Sequence, residues 1–201
     1  MLEFEKKVLL SEPEYRFLKE NRYRAGRTDV QVNHYYDTDD FELSRQGITC
    51  RIREKNGVCT ATVKAHQQTW ADCSVEHSRS VKDRYDDLLF RDMKLRHQGS
   101  LETVRTIYFP HKGISVMLDK NSYLGTTDYE LELEYVRDAE VLARKELDGI
   151  ISDLVRSRIA ANEKMLRLRI GQGGNKSARF FRRKAEAAVQ RSGAGPAIRS
   201  E

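Results

Sequence analysis

The chain begins with a strand-like segment in which charged and apolar residues alternate. Because successive side chains of a strand point to opposite faces, Glu3, Glu5 and Lys7 are predicted to share one face, opposite Leu2 and Phe4. A surface strand with one solvated face has the same pattern. Two carboxylates beside an ammonium can also bind ions, and recurrence of the pattern in later segments favours this functional interpretation.

Four later segments divide in the same way into an apolar and a charged face. The apolar faces are expected to lie under amphipathic helices, which need such a surface to cover. The opposite faces then hold a mixed set of acids and bases. This set comprises Arg51 and Arg53 in residues 47–53, Lys64 in 59–64, Arg105 in 103–107, and Glu130, Glu132 and Glu134 in 128–135, with Asp119 as a further candidate.

If the sheet closes on itself, these charged faces line its interior. Carboxylates ~4 Å apart repel by roughly 4 kcal/mol at an effective dielectric of 20, so they must protonate, pair with bases or bind a cation. Glutamate oxygens are hard ligands suited to Mg²⁺ or Mn²⁺, and guanidinium groups bind phosphate oxygens bidentately. Acids and bases in one interior therefore indicate a metal-bound polyphosphate.

The elements expected to position these residues are strands joined by short turns, with helices between them. A capping box at residues 11–14 predicts a helix to about Arg24, and Asn56-Gly57 predicts a hairpin. This order of elements favours an antiparallel sheet with helices outside it. The predicted strands cover 30–36, 47–53, 59–64, 74–81, 102–109, 113–118 and 128–135, and helices are predicted over 82–97, stopped by Gly99, and over 139–160.

Composition narrows the class of protein. Of 201 residues, 39% are hydrophobic and 33% charged, and no apolar run approaches the ~18 residues of a membrane span, so we expect a cytoplasmic protein with no membrane partner. The net charge of +5 arises beyond residue 170, because the first 170 residues carry 29 charges of each sign. Cys50, Cys59 and Cys73 lack the number and spacing of a disulfide framework or zinc site.

Six motifs, taken together, resemble the CYTH domain family, also called triphosphate tunnel metalloenzymes. The resemblance spans about residues 1 to 182. The motifs are Glu3-Phe-Glu-Lys-Lys7 for E-x-E-x-K, Tyr36-Asp-Thr38, the paired arginines of 47–53, Thr62-Val-Lys64, the acidic strand of 129–134 and the closing lysine motif of 175–180.

This resemblance implies an α+β fold: a closed eight-stranded antiparallel β-barrel, or tunnel, with flanking helices. We expect the tunnel domain over residues 1–190 and a disordered basic tail over 191–201. By similarity, Glu3, Glu5, Glu130 and Glu132 would hold Mg²⁺ or Mn²⁺, with Glu5, Glu132 and Lys7 as catalytic residues. The implied substrate-binding residues are Lys7, Arg51, Arg53, Lys64, Arg105, Lys176 and Arg179; roles for Glu76, Asp119 and Glu134 stay open.

The expected function is metal-dependent hydrolysis of inorganic triphosphate or a small organic triphosphate. Two alternatives stay open: an adenylate cyclase that converts ATP to cyclic AMP and pyrophosphate, and a non-catalytic polyphosphate- or nucleotide-binding module. The expected partner is a small molecule containing a triphosphate; nucleic acid is not expected, and a homodimer is left open. The basic segment 179–184 is expected to form a helix at one tunnel mouth.

Overall fold

The computed structural model describes residues 2–66, 73–160, 169–170 and 174–191, which form ten strands and four α-helices. Helix α1 continues as a π-helical turn, Leu18–Arg22, and a 3₁₀ turn, Arg137–Ala139, precedes α3. The helices are α1 (Glu12–Phe17), α2 (Glu42–Arg45), α3 (Glu140–Ala160) and α4 (Lys176–Arg191). The strands are β1 (Leu2–Leu10), β2 (Arg27–Asp37), β3 (Ile48–Lys55), β4 (Val58–His66), β5 (Cys73–Val81), β6 (Asp87–Phe90), β7 (Met93–His111), β8 (Ile114–Tyr123), β9 (Thr126–Tyr135) and β10 (Arg169–Ile170).

All these strands pair antiparallel in one sheet, in the order β5, β4, β3, β2, β7, β8, β9, β1. Strand β6 adds to β7, and β10 adds to β1. Strand β1 pairs with β9 over seven residues. On its other side, β1 pairs with β5 over only three residues, Leu2–Phe4, and this short seam is the one that would close the sheet. The predicted antiparallel sheet with helices outside it is confirmed, while complete closure into an eight-stranded tunnel stays a prediction, because that last seam is short.

The apolar faces of β1, β8 and β9 lie under α1 and α3, as predicted. Helix α1 begins at the predicted capping box, where the backbone N–H of Ser11 donates to Glu14 Oε2 at 2.7 Å. Helix α3 buries side chains at helical spacing and therefore covers the sheet with one face. The shared core contains Val8, Leu10, Val116, Leu118, Leu131 and Leu133 from the strands, Tyr15 and Leu18 from the first helix, and Ala143, Leu147, Ile150 and Leu154 from α3.

The helix predicted over residues 82–97 is wrong, because this segment forms the hairpin of β6 and β7. Arg91 and Asp92 form its two-residue turn with φ of 47° and 63°, as a type I′ turn requires. Leu88 and Phe90 alternate with exposed neighbours and pack on the outer faces of β3 and β4. Strand pairing and this cover over an apolar surface outweigh the local helical preference.

Helix α4 packs its aromatic side chains against one end of the sheet. Phe180 and Phe181 are buried with Tyr35 and Leu101. Gly99, predicted to stop a helix, instead lies inside β7 with φ of 136°, and a Cβ there would meet the Phe180 ring at 2.8 Å. A glycine at this position therefore lets α4 approach the strand closely. Most of the predicted tail, 192–201, lies outside the described residues.

The two cysteines whose side chains the structure describes are unpaired. Cys50 and Cys59 are free and buried in an apolar cluster, as expected for packing residues. The side chain of Cys73 lies outside the described part of the chain. None of the described helices is both long and apolar enough to cross a membrane.

Asp37, from the Tyr36-Asp-Thr38 motif, fixes the start of α2. Its buried carboxylate accepts hydrogen bonds from the backbone N–H groups of Thr38, Leu43 and Ser44 at 2.8–2.9 Å. Asp37→Ala would leave these donors unpaired, so we expect the free energy of unfolding to fall by about 3 kcal/mol in urea titrations. Asp39→Ala is the control, because this neighbouring carboxylate is 71% exposed and should contribute at most about 0.5 kcal/mol. Equal effects from both substitutions would contradict the assignment.

Candidate active site

A cavity of about 300 Å³ lies between the strands and the first turn of α4. Strand alternation directs acids and bases from β1, β3, β4, β5, β7 and β9 into it, and α4 adds a lysine. Eight of the predicted site residues meet here: Glu5, Lys7, Arg51, Arg53, Lys64, Arg105, Glu132 and Lys176. The cavity therefore brings together residues that are far apart in sequence.

The acidic side of the cavity is cross-linked by two lysines. Lys7 Nζ lies 3.1 Å from Glu5 and 3.3 Å from Glu132, and so joins the two carboxylates. Lys176 Nζ lies 2.6 Å from Glu132 and 2.8 Å from both Glu130 and Asp119. Of the three routes by which clustered carboxylates avoid repulsion, pairing with bases is the one used here.

Two arginines extend this network on either side of Lys176. Arg105 donates to Asp119 at 2.6 and 2.8 Å and also to Glu132. Arg179 binds Asp128 at 2.8 Å and Glu130 at 2.9 Å and is 4% exposed. Among the described residues, Glu130 and Arg179 lie behind the cavity lining rather than in it. Arg179, predicted to bind substrate, therefore contacts one of the acids that surround Lys176, Glu130, and also Asp128.

The network sets the ionisation of its buried members. Burial alone would raise the pKa of Glu132, but Lys176, Lys7 and Arg105 outweigh it and hold this pKa well below its ordinary value. Burial would lower the pKa of Lys176, but Asp119, Glu130 and Glu132 outweigh it and raise this pKa. An ionised Glu132 and a protonated Lys176 therefore coexist at neutral pH.

The opposite wall, formed by β3 and its neighbours, has an excess of positive charge. Burial, together with the nearby Arg51 and Arg105, lowers the pKa of Arg53 to about 9. Arg53 Nε donates to Asn33 at 2.9 Å, whereas the Nε of Arg51 is buried with no hydrogen-bond partner in the described part of the chain. A bound anion would supply both the missing acceptor and the missing negative charge.

Several lining residues were not predicted, because neutral side chains give no charge pattern. Thr49 and Ser177 share a hydrogen bond of 2.6 Å where α4 meets β3. Gln31 and Tyr35 follow from the alternation of β2, which is the signal that could have identified them. Glu76 and Glu134, whose roles were left open, also line the cavity. The side chain of Glu3 lies outside the described part of the chain.

The donor set fits a hard divalent cation. Asp119, Glu130 and Glu132 each offer an oxygen, and these atoms all lie within 4.8 Å of one another. The ammonium of Lys176 lies among them and shows that the group of carboxylates attracts positive charge. Carboxylate oxygens are the ligands that Mg²⁺, Mn²⁺ and Ca²⁺ prefer.

This sheet and its charged cavity define a known class of protein. The family model described as CYTH domain matches residues 1–148, so the chain belongs to this family. The resemblance predicted from the motifs is thereby confirmed.

Individual relatives extend the comparison. YjbK of Bacillus subtilis (strain 168), named as a candidate triphosphatase, is 36% identical over 118 residues, covering 52% of this chain and 61% of YjbK. The match thus spans less than two thirds of that relative. The structure of a candidate adenylate cyclase from Bacillus halodurans has a TM-score of 0.67 and 26% sequence identity to this protein. The match covers 89% of this chain and 97% of the cyclase chain. HpAC1 from Hippeastrum is described as a candidate adenylyl cyclase with a dominant triphosphatase activity. Its structure has a TM-score of 0.62 and 19% sequence identity, and the match covers 100% of this chain and 99% of the HpAC1 chain.

Proposed function

We propose that the protein is a divalent-metal-dependent triphosphatase that hydrolyses inorganic triphosphate or a small organic triphosphate. The observation that carries this proposal is the division of one cavity into a cationic wall, with Arg51 and Arg53, and an acidic wall that contains Glu5 and Glu132. The cationic wall suits phosphate oxygens, and the acidic wall suits a metal ion. The name of YjbK as a candidate triphosphatase supports the same activity.

The proposal includes a closed tunnel. The pairing of β1 with both β9 and β5 supports closure, because it gives the first strand a neighbour on each side. Arg51, Arg53, Lys64, Arg105 and Lys7 would bind and orient the phosphate chain, and enclosure would keep bulk water from competing. Phosphoryl transfer requires mainly such positioning and charge neutralisation.

The acidic wall would hold Mg²⁺ or Mn²⁺. Glu5 and Glu132 would be ligands within the cavity, Glu130 would complete the set from behind, and Glu3 is included by resemblance to the family motif. When bound, the metal would neutralise phosphate charge and activate water. Glu5 or Glu132 would orient the attacking water, while Lys7 would hold both carboxylates in place. Arg179 stays a predicted substrate-binding residue, and its contact with Glu130 at 2.9 Å would position that carboxylate.

The test is to identify products from triphosphate, ATP and thiamine triphosphate with Mg²⁺ or Mn²⁺ by ³¹P NMR and chromatography. Phosphate and a diphosphate product are expected. Cyclic AMP with pyrophosphate would instead establish a cyclase. Tight binding without turnover under either metal would establish a binding module. Location in the cytoplasm and the absence of nucleic-acid partners stay predictions from the sequence.

Arg53→Ala should act mainly on substrate binding, because this cation contacts phosphate in both the ground and transition states. We expect KM for triphosphate to rise by about 10- to 100-fold, with a smaller change in kcat, in steady-state assays. Arg79→Ala is the control, because it removes an exposed arginine from the outer face of β5. A normal KM in Arg53→Ala would contradict the proposed phosphate contact.

A further inference from the structure

Gln31 on β2 is a buried polar residue with an unused donor. Its side chain lines the cavity and is 3% exposed, yet its Nε2 has no hydrogen-bond partner within the described part of the chain. Buried donors are normally paired, so an isolated one inside a cavity indicates a ligand that supplies the acceptor. A phosphate oxygen is such an acceptor.

Gln31 lies at the end of the cavity away from α4. It is directly opposite Lys55 in the β2–β3 register, whereas Thr49, at the other end of β3, bonds Ser177 of α4. From Thr49 to Lys55 the strand rises by about 20 Å. Lys55 is 33% exposed and Lys176 is 8% exposed, so the Gln31 end is the more open one.

The cations of this wall differ in how they are paired. Arg53, in the middle of β3, donates to an amide and forms no ion pair with a carboxylate of the described residues. At the open end, Lys55 and Arg27 both pair with Asp29, at 2.9 and 3.0 Å, and Gln31 is neutral. An esterified phosphate also has less negative charge than a free terminal phosphate, because it lacks the ionisation near pH 6. A neutral donor beside paired cations therefore suits the less charged ester end of a triphosphate, and the unpaired guanidinium of Arg53 suits a more highly charged phosphate.

We propose that Gln31 is a specificity-determining residue whose Nε2 donates to the substituted phosphate of an organic triphosphate. The substituent then leaves the cavity past Lys55, and the free end of the chain points toward Lys176. This assignment rests on the proposed function and narrows its substrate class from any triphosphate to triphosphate monoesters.

Methyl triphosphate tests the assignment, because only its ester distinguishes it from inorganic triphosphate. We expect the wild-type protein to prefer methyl triphosphate in kcat/KM. Gln31→Leu should lower this preference by about tenfold, mainly through KM, since the lost bond is made to a charged group. Gln31→Lys should reverse the preference toward inorganic triphosphate, because it keeps a donor and adds charge. Gln46→Leu, at an exposed glutamine after α2, is the control.

Equilibrium binding of both compounds by calorimetry separates this assignment from the proposed hydrolysis. If hydrolysis fails but binding shows the preference and its loss in Gln31→Leu, the assignment holds without the activity. An equal loss for both compounds in Gln31→Leu, or an unchanged preference in both variants, would overturn the assignment. Circular dichroism confirms that each variant is folded.

Discussion

Glu5→Gln is expected to reduce metal-dependent phosphate release by about 10³-fold or more. The amide keeps the size of the side chain but removes the negative charge that a metal requires. Glu5 also accepts from Lys7 at 3.1 Å and Lys64 at 3.4 Å, so its loss changes the position of both bases. The measurement is kcat/KM for triphosphate over a range of Mg²⁺ and Mn²⁺ concentrations.

The matched control for this substitution is Glu102→Gln on β7. Glu102 is exposed on the outer face of the sheet, so the same chemical change there should leave kcat/KM within about twofold of wild type. Near-normal turnover in Glu5→Gln would refute the proposed metal role of Glu5. Thermal unfolding of both variants checks that the fold is intact.

Lys176→Met is expected to have the largest effect on stability. It would leave Asp119, Glu130 and Glu132, all at most 5% exposed, without the ammonium that joins them. Removing one member of a buried ionic network typically costs about 3–5 kcal/mol, which urea titration would detect directly. Added Mg²⁺ or Mn²⁺ should then stabilise the variant more than the wild type, because the central position among the carboxylates is open to a cation.

Arg183→Met is the control on the same helix. Arg183 is 45% exposed, and its ion pair within the described residues is with the exposed Glu186 at 3.7 Å. Its loss should therefore change the free energy of unfolding by at most about 0.5 kcal/mol. A Lys176→Met variant as stable as Arg183→Met would show that the lysine is not needed to balance the three acids.

Strand alternation predicted most of the charged residues that line the cavity. Glu5 and Lys7 on β1, the arginines of β3 and Glu132 on β9 all line one cavity because a two-residue period fixes the face on which each side chain lies. Their partners were less predictable. The insertion of Lys176 among three carboxylates depends on how α4 docks, which the packing of Phe180 against Gly99 and Tyr35 determines.

The errors in prediction have physical causes. The turn of the β6–β7 hairpin contains Arg91 and Asp92 rather than the Asn-Gly that usually signals it, so residues 82–97 resembled a helix. Neutral lining residues such as Gln31 and Thr49 escaped because the site was inferred from charge alone. Both would be found by following strand alternation without regard to charge.

The lysines inside the acidic network bear on how a divalent metal would reach the cavity. Since Lys7, Lys176, Arg105 and Arg179 already pair with the carboxylates, we expect the polypeptide to stay folded after chelation. A free dication approaching this wall must compete with two tethered ammonium groups. A dication already coordinated to a triphosphate has its positive charge offset by the phosphate oxygens. We therefore expect the triphosphate and the metal to enter the cavity together as one complex.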